Sequence, residues 1–199
     1  HKELGGKLVP FAGFEMPVWY SSLKEEHSAV RTASGCFDIS HMGVLKLSGK
    51  TTFDLLQNLF TNDLNKALPG KMIYGFILNE SGMILDDVMV GGYGGDFLLI
   101  VNASNKLKIL EWVFKHKKDD VTIVDLNEDN GFIAVQGPDA VNRLNDTFKL
   151  NLTDQARFGT ATIAINGKTV IALRAGYTGE DGFELVIPKD EIESVVKAL

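Results

Sequence analysis

The stretch best equipped for chemistry is Asn79-Glu80-Ser81-Gly82-Met83-Ile84-Leu85-Asp86-Asp87-Val88-Met89-Val90, in which a polar turn feeds an apolar run that two adjacent carboxylates interrupt. Read as a strand, its side chains alternate, so Asp86 shares a face with Ile84, Val88 and Val90, and Asp87 with Leu85 and Met89. Neither acid then has a polar face to itself. An unpaired carboxylate is costly to bury, so at least one needs a partner, a ligand or a solvent-filled cleft. A carboxylate facing a cleft is suited to accept a hydrogen bond from a ring or amine N–H. The pattern equally allows one Asp to meet backbone N–H groups at a strand end or bulge while the other reaches water, and periodicity does not choose between the two acids. A Mg²⁺ pair is a weaker reading, because no further acidic ligands recur at a supporting spacing.

The second such stretch is Arg174-Ala175-Gly176-Tyr177-Thr178-Gly179-Glu180-Asp181-Gly182-Phe183-Glu184, rich in glycine just before a strand. Glycine there lets backbone approach another group closely. Tyr177 offers a flat aromatic face, and Glu184 points opposite to Phe183, Leu185 and Ile187. An aromatic and a carboxylate beside a tight turn suit a pteridine ring, with N–H donors on one edge and a π-face for stacking. A hairpin with a core tyrosine and a solvated glutamate reads equally well from pattern alone.

Other residues carry less. His27 and His41 are isolated, with no His-Glu-x-x-His or paired-cysteine spacing, so no metal site is expected and both read as structural. Cys36, beside Phe37, reads as a small packed hydrophobe. Gly91-Gly92-Tyr93-Gly94-Gly95 lacks the Gly-Lys-Ser/Thr of a phosphate loop and reads as a hairpin turn.

The elements that must position these residues follow from periodicity. A helix is expected over Ser21 to Arg31, with Ser22 as cap and Glu25 three residues on. Val44 to Leu47 alternates like a strand, Thr52 to Phe60 is helical, and strand-like runs follow at Met72 to Leu78, Met83 to Val90 and Phe97 to Val101. Helix 104 to 117 and strand 121 to 125 close this unit. Phe132 to Gln136, Gly137 and a helix from Asp139 to Phe148 echo the earlier order, and strands at 160 to 165, 169 to 174 and 183 to 187 lead to a helix carrying Ile192, Val195, Val196 and Leu199. The fold class expected is α+β, two tandem β-α-β-β-α type modules with each sheet burying one face under its helices.

At 199 residues, with 45% hydrophobic and 23% charged residues, the chain has the composition of a globular protein with a sizeable core. A net charge of −6 works against a polyanionic partner, so no nucleic acid is expected. One cysteine makes no internal disulfide, and no apolar run is long enough to cross a bilayer, so no membrane is expected. A reducing compartment fits best: the cytoplasm, or the mitochondrial matrix in a eukaryote. The beginning at His1-Lys2 and the uncapped last helix suggest a piece of a longer chain.

Taken together, these stretches resemble the aminomethyltransferase (T-protein) family. The resemblance is carried by Phe11-Ala12-Gly13-Phe14-Glu15-Met16-Pro17-Val18-Trp19-Tyr20, Glu26-His27, Ala29-Val30-Arg31 and Phe37-Asp38-Ile39-Ser40-His41-Met42. Thr61-Asn62-Asp63, Leu85-Asp86-Asp87, Val101-Asn102-Ala103, Val135-Gln136-Gly137-Pro138 and the 176 to 184 stretch continue it in family order. It implies an N-terminal segment, 1–48, packing with a second α/β module at 127–199, a ferredoxin-like first module at 49–126, and a C-terminal β-barrel domain missing from this chain. It implies a tetrahydrofolate cosubstrate in a central cavity, with Asp87 contacting the reactive nitrogen. Met42, Tyr74, Ile100 and Asn102 would line the pocket, Tyr177 lie beside the ring system and Glu184 hold the pterin edge. The partner implied is lipoylated H-protein of glycine cleavage, whose lipoyl arm carries the aminomethyl group. Phe14 stands where tryptophan is usual and Met83 where glycine is usual, and both are expected to reshape the pocket wall. Two alternatives share the scaffold: a folate-dependent demethylase of a small methylated amine or sulfonium compound, and a non-catalytic folate-binding iron–sulfur assembly factor, whose Lys-Gly-Cys-Tyr-x-Gly-Gln hallmark here reads Arg174 to Glu180 without cysteine.

Overall fold

The computed structural model describes residues 1–67 and 70–199. A short hairpin, β1 (Leu8–Phe11) and β2 (Phe14–Pro17), stands apart from the larger sheets. It leads to α1 (Leu23–Thr32), whose cap differs in detail from the expected one. Ser22 Oγ accepts from Glu25 N–H at 3.2 Å, as a capping box requires, but the carboxylate that reaches back is Glu26, accepting from the N–H groups of Tyr20 (2.7 Å) and Ser21 (2.6 Å).

Next come β3 (Gly35–Asp38), β4 (Gly43–Ser48), α2 (Thr52–Leu59), β5 (Met72–Leu78), β6 (Ile84–Tyr93), β7 (Asp96–Val101), α3 (Lys106–His116) and β8 (Thr122–Asp125). A second series follows: β9 (Asn130–Gln136), α4 (Ala140–Phe148), β10 (Thr160–Ile165), β11 (Lys168–Leu173), β12 (Gly182–Pro188) and α5 (Ile192–Ala198). Both modules have the order β-α-β-β-β-α, three strands between helices. The turn read at Gly91 to Gly95 is narrower, since Gly91, Gly92 and Tyr93 belong to β6. Only Gly94 and Gly95, at φ 58° and 91°, form the two-residue connection that pairs Tyr93 with Asp96.

Two five-stranded antiparallel sheets result, in the orders β5-β6-β7-β4-β8 and β10-β11-β12-β9-β3. Position for position, β5, β6, β7 and β4 of one correspond to β10, β11, β12 and β9 of the other. The fifth strands cross the chain order: β3 leads into β4 yet pairs with β9, and β8 leads into β9 yet pairs with β4. β4, which ends the expected N-terminal segment 1–48, is hydrogen-bonded into the first sheet through β7 and β8.

Strand alternation sorts the apolar side chains into three cores. Leu45, Leu47, Phe97, Leu99 and Val101 pack under α2 and α3 with Leu55, Leu56, Ile109 and Val113. Ile133, Val135, Phe183, Leu185 and Ile187 pack under α4 and α5 with Val141, Leu144 and Val195. The opposite sheet faces meet through Met42, Val44, Met72, Leu98, Ile100, Phe132, Ile171, Leu173 and Val186. The molecule is thus four layers, helices outside and two sheets inside. No helix among the described residues is long and apolar enough to cross a membrane.

Candidate functional site

The site begins at a defect in β6. Ile77 pairs with Asp86 but Leu78 pairs with Ile84, so Leu85 is an extra residue and the strand bulges beside the two acids. Strict alternation fails here: Leu85 packs against the first core with Val88 and Val90, while Ile84, expected beside them, is exposed. Asp86 is 3% exposed and fully engaged. Its Oδ2 accepts from the backbone N–H of Asn102 at 3.0 Å, and its Oδ1 accepts from Asn102 Nδ2 (3.0 Å) and Asn105 Nδ2 (2.5 Å). Asp87 is half-buried on the other face. It accepts from Asn102 Nδ2 at 2.9 Å and from the Tyr74 hydroxyl at 3.3 Å. Backbone capture at a bulge and cleft exposure, which the pattern left as alternatives, occur together, one on each acid.

Glu184 sits across the gap on β12, between Ala134 of β9 and Leu173 of β11. It points away from Phe183, Leu185 and Ile187, as alternation expects, and is 5% exposed. Neither carboxyl oxygen meets a hydrogen-bond donor among the described residues. Burial without compensation pushes its pKa up from 4.5 to about 7. Tyr177, 72% exposed, stands nearby. Partial desolvation of its phenol, then the charges of Glu184, Asp87 and Asp86, push its pKa up to about 12. The turn holding Tyr177 is clamped from beneath. Gln136 donates from Nε2 to the Ala175 carbonyl (2.9 Å) and accepts from the Thr178 hydroxyl (2.9 Å), while Arg174 grips Asp181 and the carbonyls of Thr153 and Gln155. Gly176 is required by that clamp, because a Cβ there would lie 1.9 Å from Gln136 Oε1.

These groups converge on a cavity of about 710 Å³ lined by Met42, Asp86, Asp87, Ile100, Asn102, Phe132, Tyr177 and Glu184, among others. Six of the seven residues expected around a ligand are therefore together. The seventh, Tyr74, is outside the lining, with its ring half-exposed on edge strand β5, and reaches the site only through Asp87. Asn105 and Gln136 had not been assigned roles; their partners lie 19 and 39 residues away, and only the fold reveals them. The walls are largely apolar, and the inward polar groups include the carboxyls of Asp87 and Glu184 beside the Tyr177 phenol, so the cavity suits a flat ring with several N–H donors.

A second cavity, about 730 Å³, lies between the β1–β2 hairpin, α1 and β3, and shares Ile39, His41 and Tyr177 with the first. His41 is wedged edge-on against Phe11 and Phe14, ring centroids 5.9 and 6.3 Å away, and its Nδ1 is buried without a partner. Burial lowers its pKa and Asp38 opposes that shift. Cys36 opens onto this second cavity instead of packing in a core, and desolvation with the nearby Asp38 pushes its thiol up to about 11, the opposite of an activated nucleophile. Phe14 and Met83, expected on the pocket wall, line neither cavity: Phe14 lies on His41, and Met83 is 67% exposed at the turn before β6. Among the described residues no cluster of three or more His, Cys, Asp or Glu could hold a metal ion.

Comparison with known proteins gives this geometry a family. The family model described as the GCVT N-terminal domain matches residues 1–199. The chain belongs to the GCVT N-terminal domain family. Curated relatives of this family named aminomethyltransferase include one from Clostridium botulinum (strain Langeland), 38% identical over 202 residues, all of this chain and 55% of the relative. Another from Prochlorococcus marinus (strain NATL1A) is 39% identical over 211 residues, all of this chain and 57% of the relative. The crystal structure of glycine cleavage system aminomethyltransferase T from Bartonella henselae matches with a TM-score of 0.91 and 28% identity, over all of this chain and 54% of that one. The chain thus spans about half the length of these relatives. The heterotetrameric sarcosine oxidase from Corynebacterium sp. U-96 shares the fold alone, with a TM-score of 0.62, 16% identity and 88% of each chain covered.

Proposed function

We propose that this chain is the folate-binding part of an aminomethyltransferase of glycine cleavage, and that the cavity between its sheets receives tetrahydrofolate. One observation carries the reading: two carboxyl groups on facing sheets, Asp87 and Glu184, with Tyr177 beside them, open into one apolar cavity sized for a flat heterocycle. Glu184 takes the donor edge of the pterin, Tyr177 covers the ring system, and Ile100 and Met42 supply apolar wall. Asp87 meets the reactive nitrogen.

The reaction we infer uses aminomethyl carried as a thio-aminal on the lipoyl arm of H-protein. A folate nitrogen attacks the methylene carbon, ammonia leaves, and the second folate nitrogen closes the ring of 5,10-methylenetetrahydrofolate. The two protons lost by the folate nitrogens end on ammonia and on the sulfur, leaving the arm as a dithiol. Asp87 contributes by orienting the folate and stabilising the positive charge that develops on its nitrogen. The setting would be the cytoplasm, or the mitochondrial matrix in a eukaryote. The test is release of ammonia and methylenetetrahydrofolate by the full-length protein with aminomethylated H-protein. Coupled release of both is expected; turnover of a free methylated amine with no response to H-protein would overturn the reading in favour of a demethylase.

A further inference from the structure

Asp86 borders the same cavity as Asp87, but its environment differs in kind. Both of its oxygens are occupied by protein donors, one by the Asn102 backbone and the other by the side-chain amides of Asn102 and Asn105. At 3% exposure, with three protein donors already bound, it is held by the protein more than it is offered to a ligand. What it does control is the Asn102 amide. Asn102 Nδ2 faces three oxygens, Asp86 Oδ1 at 3.0 Å, Asp87 Oδ1 at 2.9 Å and the Asp87 carbonyl at 3.0 Å. A flipped amide would set its oxygen against all three, so the nitrogen is held on the acidic side. Asn102 Oδ1 is thereby turned away from the carboxylates, and it has no hydrogen-bond partner among the described residues although Asn102 lines the cavity.

We propose that Asp86 is a positioning residue: by locking the Asn102 amide it fixes the orientation of the Asp87 carboxylate and presents Asn102 Oδ1 as an additional acceptor for a ligand N–H. Asn105 is the second anchor of this lock, bonded to Asp86 from the turn that starts α3. The proposal rests on the functional reading for its kinetic consequence, though its structural half stands without it. It also accounts for two adjacent acids in an apolar strand: one touches the ligand, and the other aims the first through an intervening amide.

The test uses the full-length protein, an isosteric Asp86→Asn change, and two readouts that mere folding damage would not produce together. In Asp86→Asn one oxygen becomes an NH₂ group that confronts the donors of Asn102 or Asn105, so the lock opens. The Asn102 side-chain amide resonances, assigned by loss in Asn102→Asp, are expected to shift and broaden. Turnover with aminomethylated H-protein should fall about tenfold or more in kcat, and KM for tetrahydrofolate should rise about fivefold as the Asn102 Oδ1 acceptor is lost. Unmoved Asn102 resonances, or kcat unchanged in a folded variant, overturn the proposal. So does a loss of activity that only tracks the fraction unfolded. If Asp86→Asn does not fold, Asn105→Ala decides: a smaller effect in the same direction on both readouts is expected, and none refutes the lock. Should the parent protein show no transfer at all, the functional reading fails while the amide resonances still decide the positioning role.

Discussion

At the scale of single residues, the three carboxyl groups of the site differ by how many donors each has met. Asp86 has three, Asp87 two and Glu184 none among the described residues, so Asp86 is the most tightly held by the protein and Glu184 the least. The sequence displayed the acids and their apolar neighbours but not this order, because the donors come from Asn102, Asn105 and Tyr74 on other elements. Glu184 has a pH consequence. Its folded-state pKa, about 7, lies above the ordinary 4.5, so the folded chain binds the proton more tightly than the unfolded one. Stability from this group is full below pH 4.5 and is lost as pH rises through about 7, a change of about 3 kcal/mol. Chemical denaturation of Glu184→Gln should show that loss removed, leaving the variant more stable than the parent at pH 8; an unaltered pH profile would refute the neutral, unpartnered carboxyl. For Asp87→Asn, folate binding should persist while methylene transfer drops by about 10²-fold or more, followed by ammonia release. Undiminished turnover would remove Asp87 from the reaction.

At the scale of elements, periodicity located the helices and the longer strands, because each helix has one buried stripe and the central strands are apolar runs buried on both faces; the short strands β1, β2 and β3 carry no such pattern. It failed where backbone geometry changes within an element. The bulge in β6 moves Leu85 to the face of Val88 and Val90, and no local residue signals it. The turn at 174–181 was legible through its glycines, but its clamp was not: Gln136 enters from β9, and only the pairing of β9 with β12 brings it under Gly176. Gly176→Ala is expected to destabilise the chain by about 1–3 kcal/mol in urea, since the added methyl must displace the Gln136 amide. Pairing it with Gln136→Ala should recover part of that loss. Additive losses in the double variant would show that the two residues do not press on each other.

At the scale of the whole molecule, the echo between the two halves is structural: matching strand orders, with β3 and β8 crossing to the opposite half. The repeat of strand, glycine and helix announced the modules, but the crossing was invisible because β3, Gly-Cys-Phe-Asp, is four residues with no apolar alternation to mark it as a strand. Crossed strands and a shared core between the sheets tie the halves together, so equilibrium unfolding should be one transition by far-ultraviolet circular dichroism and tryptophan fluorescence alike; separate midpoints would mean the modules fold apart. Leu98, fully buried where the sheets meet, should lose about 2–5 kcal/mol on change to Ala. The cavity exists because that inter-sheet core stops short, leaving Asp87 and Glu184 facing each other across an unfilled end. Calorimetric titration of the full-length protein with tetrahydrofolate, set beside Glu184→Ala, tests most directly whether a reduced pterin fills it. One ligand per chain is expected, with affinity at least about tenfold weaker in the variant; equal affinities, or no binding to the parent, would contradict it.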